Sequence, residues 1–222
     1  MQVSEFDRVV RRQFQDSVKR LAPAGSSILD FGAGTGLDTK AYAQDGYKVH
    51  AYDASHDMRT YLAGYCRDEI ASGQVALVDE DYNRFLASSA AENASVQAIT
   101  SDFAVLNLVP DLVPLFKAFD RWLAADGFIL ASLLNPLYVD DARHLWWWQG
   151  MPSLLVSGRY SHRSHEGICH RFRLRAVEAA AQPYFTLVGV RAPHAATALP
   201  LGSAGTLALS TSLYSFLLFR RR

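Results

Sequence analysis

The sequence predicts an α/β fold: a seven-stranded, mostly parallel sheet with helices on both faces and an antiparallel last strand. Short apolar runs alternate with segments of helical apolar spacing, the order that a parallel sheet joined by crossover helices requires. One run, Phe128 to Leu134, is apolar throughout, as a strand covered on both faces is. The first run, Ser27 to Phe31, passes straight into the glycines Gly32, Gly34 and Gly36 and then into a helical pattern, so a strand, a tight turn and a helix follow one another.

Taken in order, Phe6, Val9, Val10, Phe14, Val18 and Leu21 lie near helical spacing with Arg8, Arg11, Arg12 and Lys19 between them, and Pro23 and Gly25 stop the helix, so residues 1–24 form an N-terminal helical element. After the strand Ser27 to Phe31, a helix from Leu37 to Gln44 ends at Gly46, and Tyr47 to Asp53 reads as the second strand. A helix around Met58 to Ile70 leads to a strand at Val75 to Val78, then a polar, alanine-rich stretch runs to Glu92. Val96 to Thr100 is strand-like, Leu112 to Leu123 is helical, and Asp126-Gly127 turns the chain into the apolar run at Phe128. A helix from about Arg175 to Ala181 precedes a strand at Phe185 to Val190, and a last strand at about Tyr214 to Phe219 can pair with it antiparallel. The intervening segment, residues 137–175, has a different texture, with three consecutive tryptophans, four histidines and six arginines.

The 222 residues fit one elaborated domain, and a composition half hydrophobic and one-fifth charged supports a normal core. Basic and acidic residues balance at 22 each, a poor basis for general nucleic-acid binding. Cys66 and Cys169 stand far apart, which excludes a disulfide framework and a four-cysteine zinc site. The N-terminus is charged where a signal peptide needs an apolar stretch, so a cytoplasmic protein is expected. The uncharged run from Ala195 to Phe219 is broken by Pro200, Gly202 and Gly205, which argues for a loop into a buried strand rather than membrane insertion.

The glycine turn carries the chemistry. Its spacing is G-x-G-x-G, and the bulky Leu37 occupies the place where a dinucleotide fingerprint has its third small residue. Asp30 stands two positions before Gly32, and a carboxylate there repels a pyrophosphate but attracts the sulfonium and ammonium groups of S-adenosylmethionine. Asp53 ends the second strand, where it can accept from two ribose hydroxyls, and Asp79, Glu80 and Asp81 end the third, where an acid can accept from the adenine amino group.

On these residues the chain resembles the class I S-adenosylmethionine-dependent methyltransferases of the type 11 and 12 kind, from about Ser27 to Leu134 and weakly over the last two strands. The resemblance implies a Rossmann-like three-layer sandwich. It also implies that Asp30, Phe31, Gly32, Ala33, Gly34, Thr35 and Gly36 cradle the amino-acid end of the cofactor, that Asp53 holds the ribose with Ala54 nearby, and that Asp81 and Tyr82 flank the adenine. Thr100, Ser101 and Asp102 would border the transferred methyl. Trp122 to Gly127 lacks the Lys-Pro pair and one glycine usual in the family's loop, and Ser95-Val96 stands where Phe-Asp is common.

Methyl transfer mainly needs donor and acceptor aligned and water excluded, with a base only for a protonated nucleophile. Residues 137–175, inserted after the fifth strand, are the candidate cap over an acceptor. Six arginines there, Arg143, Arg159, Arg163, Arg171, Arg173 and Arg175, face three acids, which favours a small, anionic or aromatic acceptor, methylated on oxygen or nitrogen. The candidate bases are His144, His162, His165, His170, Tyr138 and Tyr160. The spacing of His162, His165, Cys169 and His170 matches no common zinc pattern, so no metal is expected. Asn135-Pro136-Leu137-Tyr138 lacks the second proline of amino-methylating enzymes and reads as a chain reversal. A lipid or macromolecular acceptor, or a non-catalytic cofactor-binding protein, are the alternatives; oligomeric state is left open.

Overall fold

The computed structural model describes residues 4–87, 95–164, 167–193 and 212–222. Nine strands, β1 (Ser27–Phe31), β2 (Lys48–Tyr52), β3 (Val75–Val78), β4 (Val96–Ser101), β5 (Leu123–Leu134), β6 (Arg159–Ser164), β7 (Gly167–Phe172), β8 (Phe185–Arg191) and β9 (Tyr214–Arg221), are found among them. The helices are α1 (Glu5–Leu21), α2 (Leu37–Gln44), α3 (His56–Tyr65), α4 (Arg67–Ala71), α5 (Tyr82–Ala87), α6 (Leu112–Trp122), α7 (Leu145–Ser157) and α8 (Leu174–Ala181). Short 3-10 turns lie at Val105–Leu108 and Val139–Arg143. Seven strands form one sheet in the order β3-β2-β1-β4-β5-β9-β8, while β6 and β7 make a separate hairpin. β1 to β5 are parallel, and β9 runs antiparallel between β5 and β8. The sheet is therefore seven-stranded and mostly parallel with an antiparallel last strand, in the three-layer arrangement the sequence predicts.

Side-chain alternation builds the layers. In β5, Ile129, Ala131 and Leu133 join the core beneath α6 and α8, whereas Phe128 and Leu130 join the one beneath α1 and α2. β9 repeats the division, with Leu217 and Phe219 on one side and Phe216 on the other. This is the period of two that a strand buried on both faces imposes. α1 starts at Ser4, whose hydroxyl accepts from the Asp7 amide at 3.0 Å, and carries acids in its first turn and bases in its last, both favourable to the helix dipole. Its Val10, Phe14 and Val18 are fully buried, and Phe14 meets Phe216 edge to face at 5.2 Å between ring centres.

Several boundaries differ from expectation for local reasons. The helix predicted over Met58 to Ile70 is two helices, because the chain leaves helical geometry at Cys66 (φ −100°, ψ 25°). The polar stretch before Glu92 contains α5, whose Phe85 is buried among Phe31 and Tyr52; residues 88–94 lie outside the described residues. β5 begins at Leu123, paired with Val96, before the register shifts to Ala98 opposite Phe128. Of the loop expected before the last strand, residues 195–211 also lie outside the described residues. Among the described residues no helix is long and apolar enough to cross a membrane.

Truncating Phe14 to alanine leaves a void between α1 and β9. The expected cost is about 3–5 kcal/mol of unfolding free energy, measured as a lowered midpoint in urea with an unchanged m-value.

Candidate active site

Strand order reverses at β1, which hydrogen-bonds to β2 on one side and β4 on the other. The connections leave the sheet in opposite directions there, opening a crevice at the carboxyl ends of the strands, the usual ligand site of such sheets. The glycine turn lies at this end. Gly32 and Ala33 donate their amides to the Tyr52 carbonyl at 2.8 and 2.9 Å, and Gly34 donates to Asp53 Oδ2 at 2.8 Å. The other Asp53 oxygen accepts from the Ser55 amide at 2.8 Å. Gly36, with φ of 88°, is the cap residue of α2.

The three glycines serve different ends. A Cβ on Gly32 would sit 2.4 Å from the Val105 side chain, and one on Gly36 2.9 Å from Leu62, so both permit close packing beneath the turn. Gly34, with φ of 54°, has nothing within 4 Å of a built Cβ, so its open side is free for a ligand. The ring of Phe31 points away from the turn into the core against Tyr52, Phe85 and Phe119, leaving only its backbone at the crevice.

Asp30 is buried. Its Oδ2 accepts from the Thr39 hydroxyl at 2.6 Å and its Oδ1 from the Thr100 hydroxyl at 3.1 Å. Burial and the nearby Asp38 push its carboxyl up to about 7, against the lowering effect of the threonines and Arg11. Thr100 is thus spent on Asp30 and has no exposed surface. At the end of β3, Arg59 bonds Asp79 at 3.0 Å and the carbonyls of Asp53 and Ala54 at 2.8 and 3.1 Å, fixing the β2 terminus. Asp81 is mostly exposed and caps α5 by accepting from the Arg84 amide at 2.9 Å, while the shielded Tyr82 hydroxyl has no partner. Burial raises that hydroxyl to about 12.

Arg11, which the sequence reading left off the site, lies here together with Asp102, which the resemblance implies. Arg11 of α1 pairs with Asp38 and stands over the Phe103 ring, 4.4 Å from its centre. Asp102 follows β4; Oδ1 accepts from the Phe103 amide at 2.7 Å, and the Ser132 hydroxyl also donates to this carboxyl. Burial and Asp38 raise its carboxyl well above the usual range. Phe103 and Ala104 both have positive φ, 50° and 60°, an uncommon strain in successive non-glycine residues, and Ser132 Oγ accepts the Ala104 amide at 3.0 Å.

The segment after β5 packs around its own small core of Trp147, Leu154 and Tyr160. It is tied to the sheet's carboxyl end: Arg171 donates to the Asn135 carbonyl at 3.1 Å, Trp147 to that of Pro136 at 3.1 Å, and Asn107 to that of His170. Asn135 shapes the turn by accepting the Leu137 amide at 2.9 Å. The three tryptophans diverge: Trp147 is buried, Trp148 exposed, and Trp146 stacks on His162 with 3.9 Å between ring centres and on His144 at 5.5 Å. A groove of about 390 Å³ between α7 and β6 is lined by Trp146, Gln149, Ser153, Tyr160, His162 and Arg163.

The candidate bases do not converge on one point. His144, His162 and Tyr160 gather around Trp146, with Tyr160 6.3 Å from both Trp146 and His162. Burial and Arg171 lower His162 to about 4, so it is neutral at pH 7. His170 instead bonds Ser161 through Nδ1 at 2.7 Å, and the Tyr138 hydroxyl donates to Asp140 at 2.7 Å. The Tyr160 hydroxyl donates to the Pro136 carbonyl at 3.4 Å, and burial raises it far above its ordinary value. His165 lies outside the described residues. Among the described residues no three His, Cys, Asp or Glu side chains gather as a metal site. Three of the six arginines have partners: Arg171 pairs with Asp141 at 3.0 Å, Arg159 donates to the Pro110 carbonyl at 2.7 Å and Arg143 donates to His144 Nε2 at 3.3 Å.

Residues 6–184 match the family described as a methyltransferase domain. A search of curated proteins finds no match. Solved structures of similar fold include 1,6-didemethyltoxoflavin-N1-methyltransferase from Burkholderia thailandensis, with bound 1,6-didemethyltoxoflavin and S-adenosylhomocysteine (17% identity, 98% of this chain and 80% of that one, TM-score 0.64). They also include an S-adenosylmethionine-dependent methyltransferase from Mesorhizobium loti (19% identity, 93% and 96%, TM-score 0.65) and the CcbJ methyltransferase from Streptomyces caelestis (16% identity, 96% of each, TM-score 0.66). At these identities the likeness is one of fold; the family match, which spans most of the chain, agrees with the glycine turn and the strand order, and the chain belongs to the methyltransferase-domain family.

Proposed function

We propose that the chain transfers the methyl group of S-adenosylmethionine to an oxygen or nitrogen atom of a small metabolite. The observation that carries this reading is the turn at Gly34: an amide clamped to Asp53, open space where a side chain would be, and no phosphate-compatible charge beside it, since Asp30 lies behind. The donor group, when bound, supplies a methyl carbon already activated by a positively charged sulfur. The residues present fit it. Asp53 uses one lone pair of each oxygen on the Gly34 and Ser55 amides and keeps others for two ribose hydroxyls. Asp30 offers buried negative charge to the ammonium end, and Asp81 and Tyr82 border the adenine.

The segment after β5 acts as the acceptor's cap, because its hydrogen bonds fasten it over the carboxyl ends of β4 and β5. Its groove joins the Trp146 face to Arg163, a pairing that suits a planar acceptor carrying an acidic group. Since Arg171 and Arg159 are committed elsewhere, Arg163 is the arginine of choice for that contact. A cytoplasmic setting and a small-molecule rather than nucleic-acid partner complete the reading, supported by the balanced charge of the sequence. Supplying donor with a deuterated methyl group to a metabolite extract should transfer the label to a small molecule detectable by mass spectrometry; label found only in protein, lipid or RNA would refute the small-metabolite assignment.

Two outcomes test the cofactor residues. In calorimetry with S-adenosylhomocysteine, Asp53→Ala and Gly34→Ala should each weaken binding at least tenfold; unaltered affinity in both would exclude this cradle. The second concerns pH. Asp30 is raised in the folded protein, so its proton favours folding below its unfolded value near 3.8, and this contribution is lost as pH rises toward about 7. The stability of Asp30→Asn relative to wild type should therefore increase between pH 5 and pH 8, read as the shift in urea midpoint of the ligand-free proteins.

A further inference from the structure

Far from the crevice, where the last turns of α1 pass the outer strands, two cations meet without an acid. Ser17 Oγ accepts from Arg191 of β8 at 2.7 Å and from Arg20 of α1 at 3.1 Å, and gives its own proton to the Gln13 carbonyl at 2.7 Å. The hydroxyl has then used its donor and both lone pairs. Two guanidiniums therefore share one uncharged oxygen. Among the described residues neither forms an ion pair, and Asp16, one turn before Arg20 on α1, is exposed and bonds to neither. No acid follows Glu178 in the sequence, so the chain from β8 onward has no carboxylate to offer them. Burial and the neighbouring Arg20 lower Arg191 from its ordinary value, the mark of crowded like charge.

Beside this pair lies a depression of about 210 Å³ between α1 and the sheet, lined on its apolar side by Leu21 of α1, Leu130 of β5 and Leu218 of β9. The Arg191 guanidinium stands over the Phe216 ring, 5.7 Å from its centre, a placement that leaves N–H groups at its edge for an acceptor. Gly189 of β8 keeps the depression open. A Cβ built there would meet Leu218 at 3.6 Å, an ordinary contact, so packing does not forbid a side chain that would fill the space.

We propose that this depression binds a small organic carboxylate, with its anionic head on Arg191 and Arg20 and its hydrocarbon body on Leu130 and Leu218. A planar carboxylate matches the edge of a guanidinium, and the ligand supplies the negative charge that Ser17 lacks. Inorganic phosphate has no body for the leucines and costs more to strip of water beside them. The site is distinct from both the crevice and the groove of the inserted segment, so it does not depend on the cofactor reading. Its occupant would join α1 to the outer strands in the folded chain alone, so binding stabilises the fold.

The test is calorimetry of the full chain with sodium octanoate as the probe. Wild type should bind it saturably, and should bind acetate, inorganic phosphate and octyltrimethylammonium at least tenfold more weakly, because each lacks the body or the charge. Arg191→Gln should weaken octanoate about tenfold, the loss expected for a charge-assisted hydrogen bond. Gly189→Leu, which fills the depression without removing charge, should do the same. Arg163→Gln, in the groove of the inserted segment, should leave the affinity unchanged, and saturating octanoate should raise the thermal midpoint of wild type but not of Gly189→Leu. Absence of saturable octanoate binding, equal affinity in Arg191→Gln, sensitivity to Arg163→Gln instead, or tighter binding of phosphate overturns the proposal. Should Arg191→Gln or Gly189→Leu not fold, Arg20→Gln at its exposed position decides: weakened octanoate binding supports the site, and unaltered binding overturns it.

Discussion

Asp30 must keep a carboxylate out of water at the point where strand order reverses, and the surrounding architecture answers that demand. Two threonines from different elements, Thr39 on α2 and Thr100 on β4, bond its two oxygens. These bonds join the helix after the glycine turn to the strand across the crevice. Arg11 reaches in from α1, so the N-terminal helix is fixed by charge as well as by Phe14 and its apolar neighbours. A buried acid is costly without partners. Here those partners hold together three elements around the crevice.

The layers were legible because strand and helix periods are written plainly in apolar residues. Phe128 to Leu134 could only be a doubly covered strand, and its side chains do divide between the two cores. Boundaries were less legible. The break at Cys66 follows Gly64 by two residues, and a single glycine inside a helical pattern does not by itself mark an end; α5 is short, with Phe85 as its only fully buried residue.

At the site, the glycine turn and Asp53 could be found from spacing, because the chemistry needs those residue types at fixed offsets. Arg11 could not. It sits in a helix among Arg8, Arg12 and Lys19, and nothing in the sequence separates the basic residue that turns inward from those that face solvent. Asp102 was visible as a residue after β4, but its bond to Ser132 of β5 is a property of packing. The histidines of the inserted segment attracted notice by type, yet three-dimensional contacts divide them between an aromatic stack around Trp146 and a bond to Ser161.

The inserted segment's private core makes its groove tolerant of substitution. Trp147, Leu154 and Tyr160 pack among themselves, and the hydrogen bonds that hold Arg171, Trp147 and Tyr160 to the sheet's carboxyl end are accepted by the backbone carbonyls of Asn135 and Pro136. A carbonyl is present whatever side chain accompanies it. Groove positions such as Gln149, Ser153 and Arg163 can therefore change without compensating changes in the sheet.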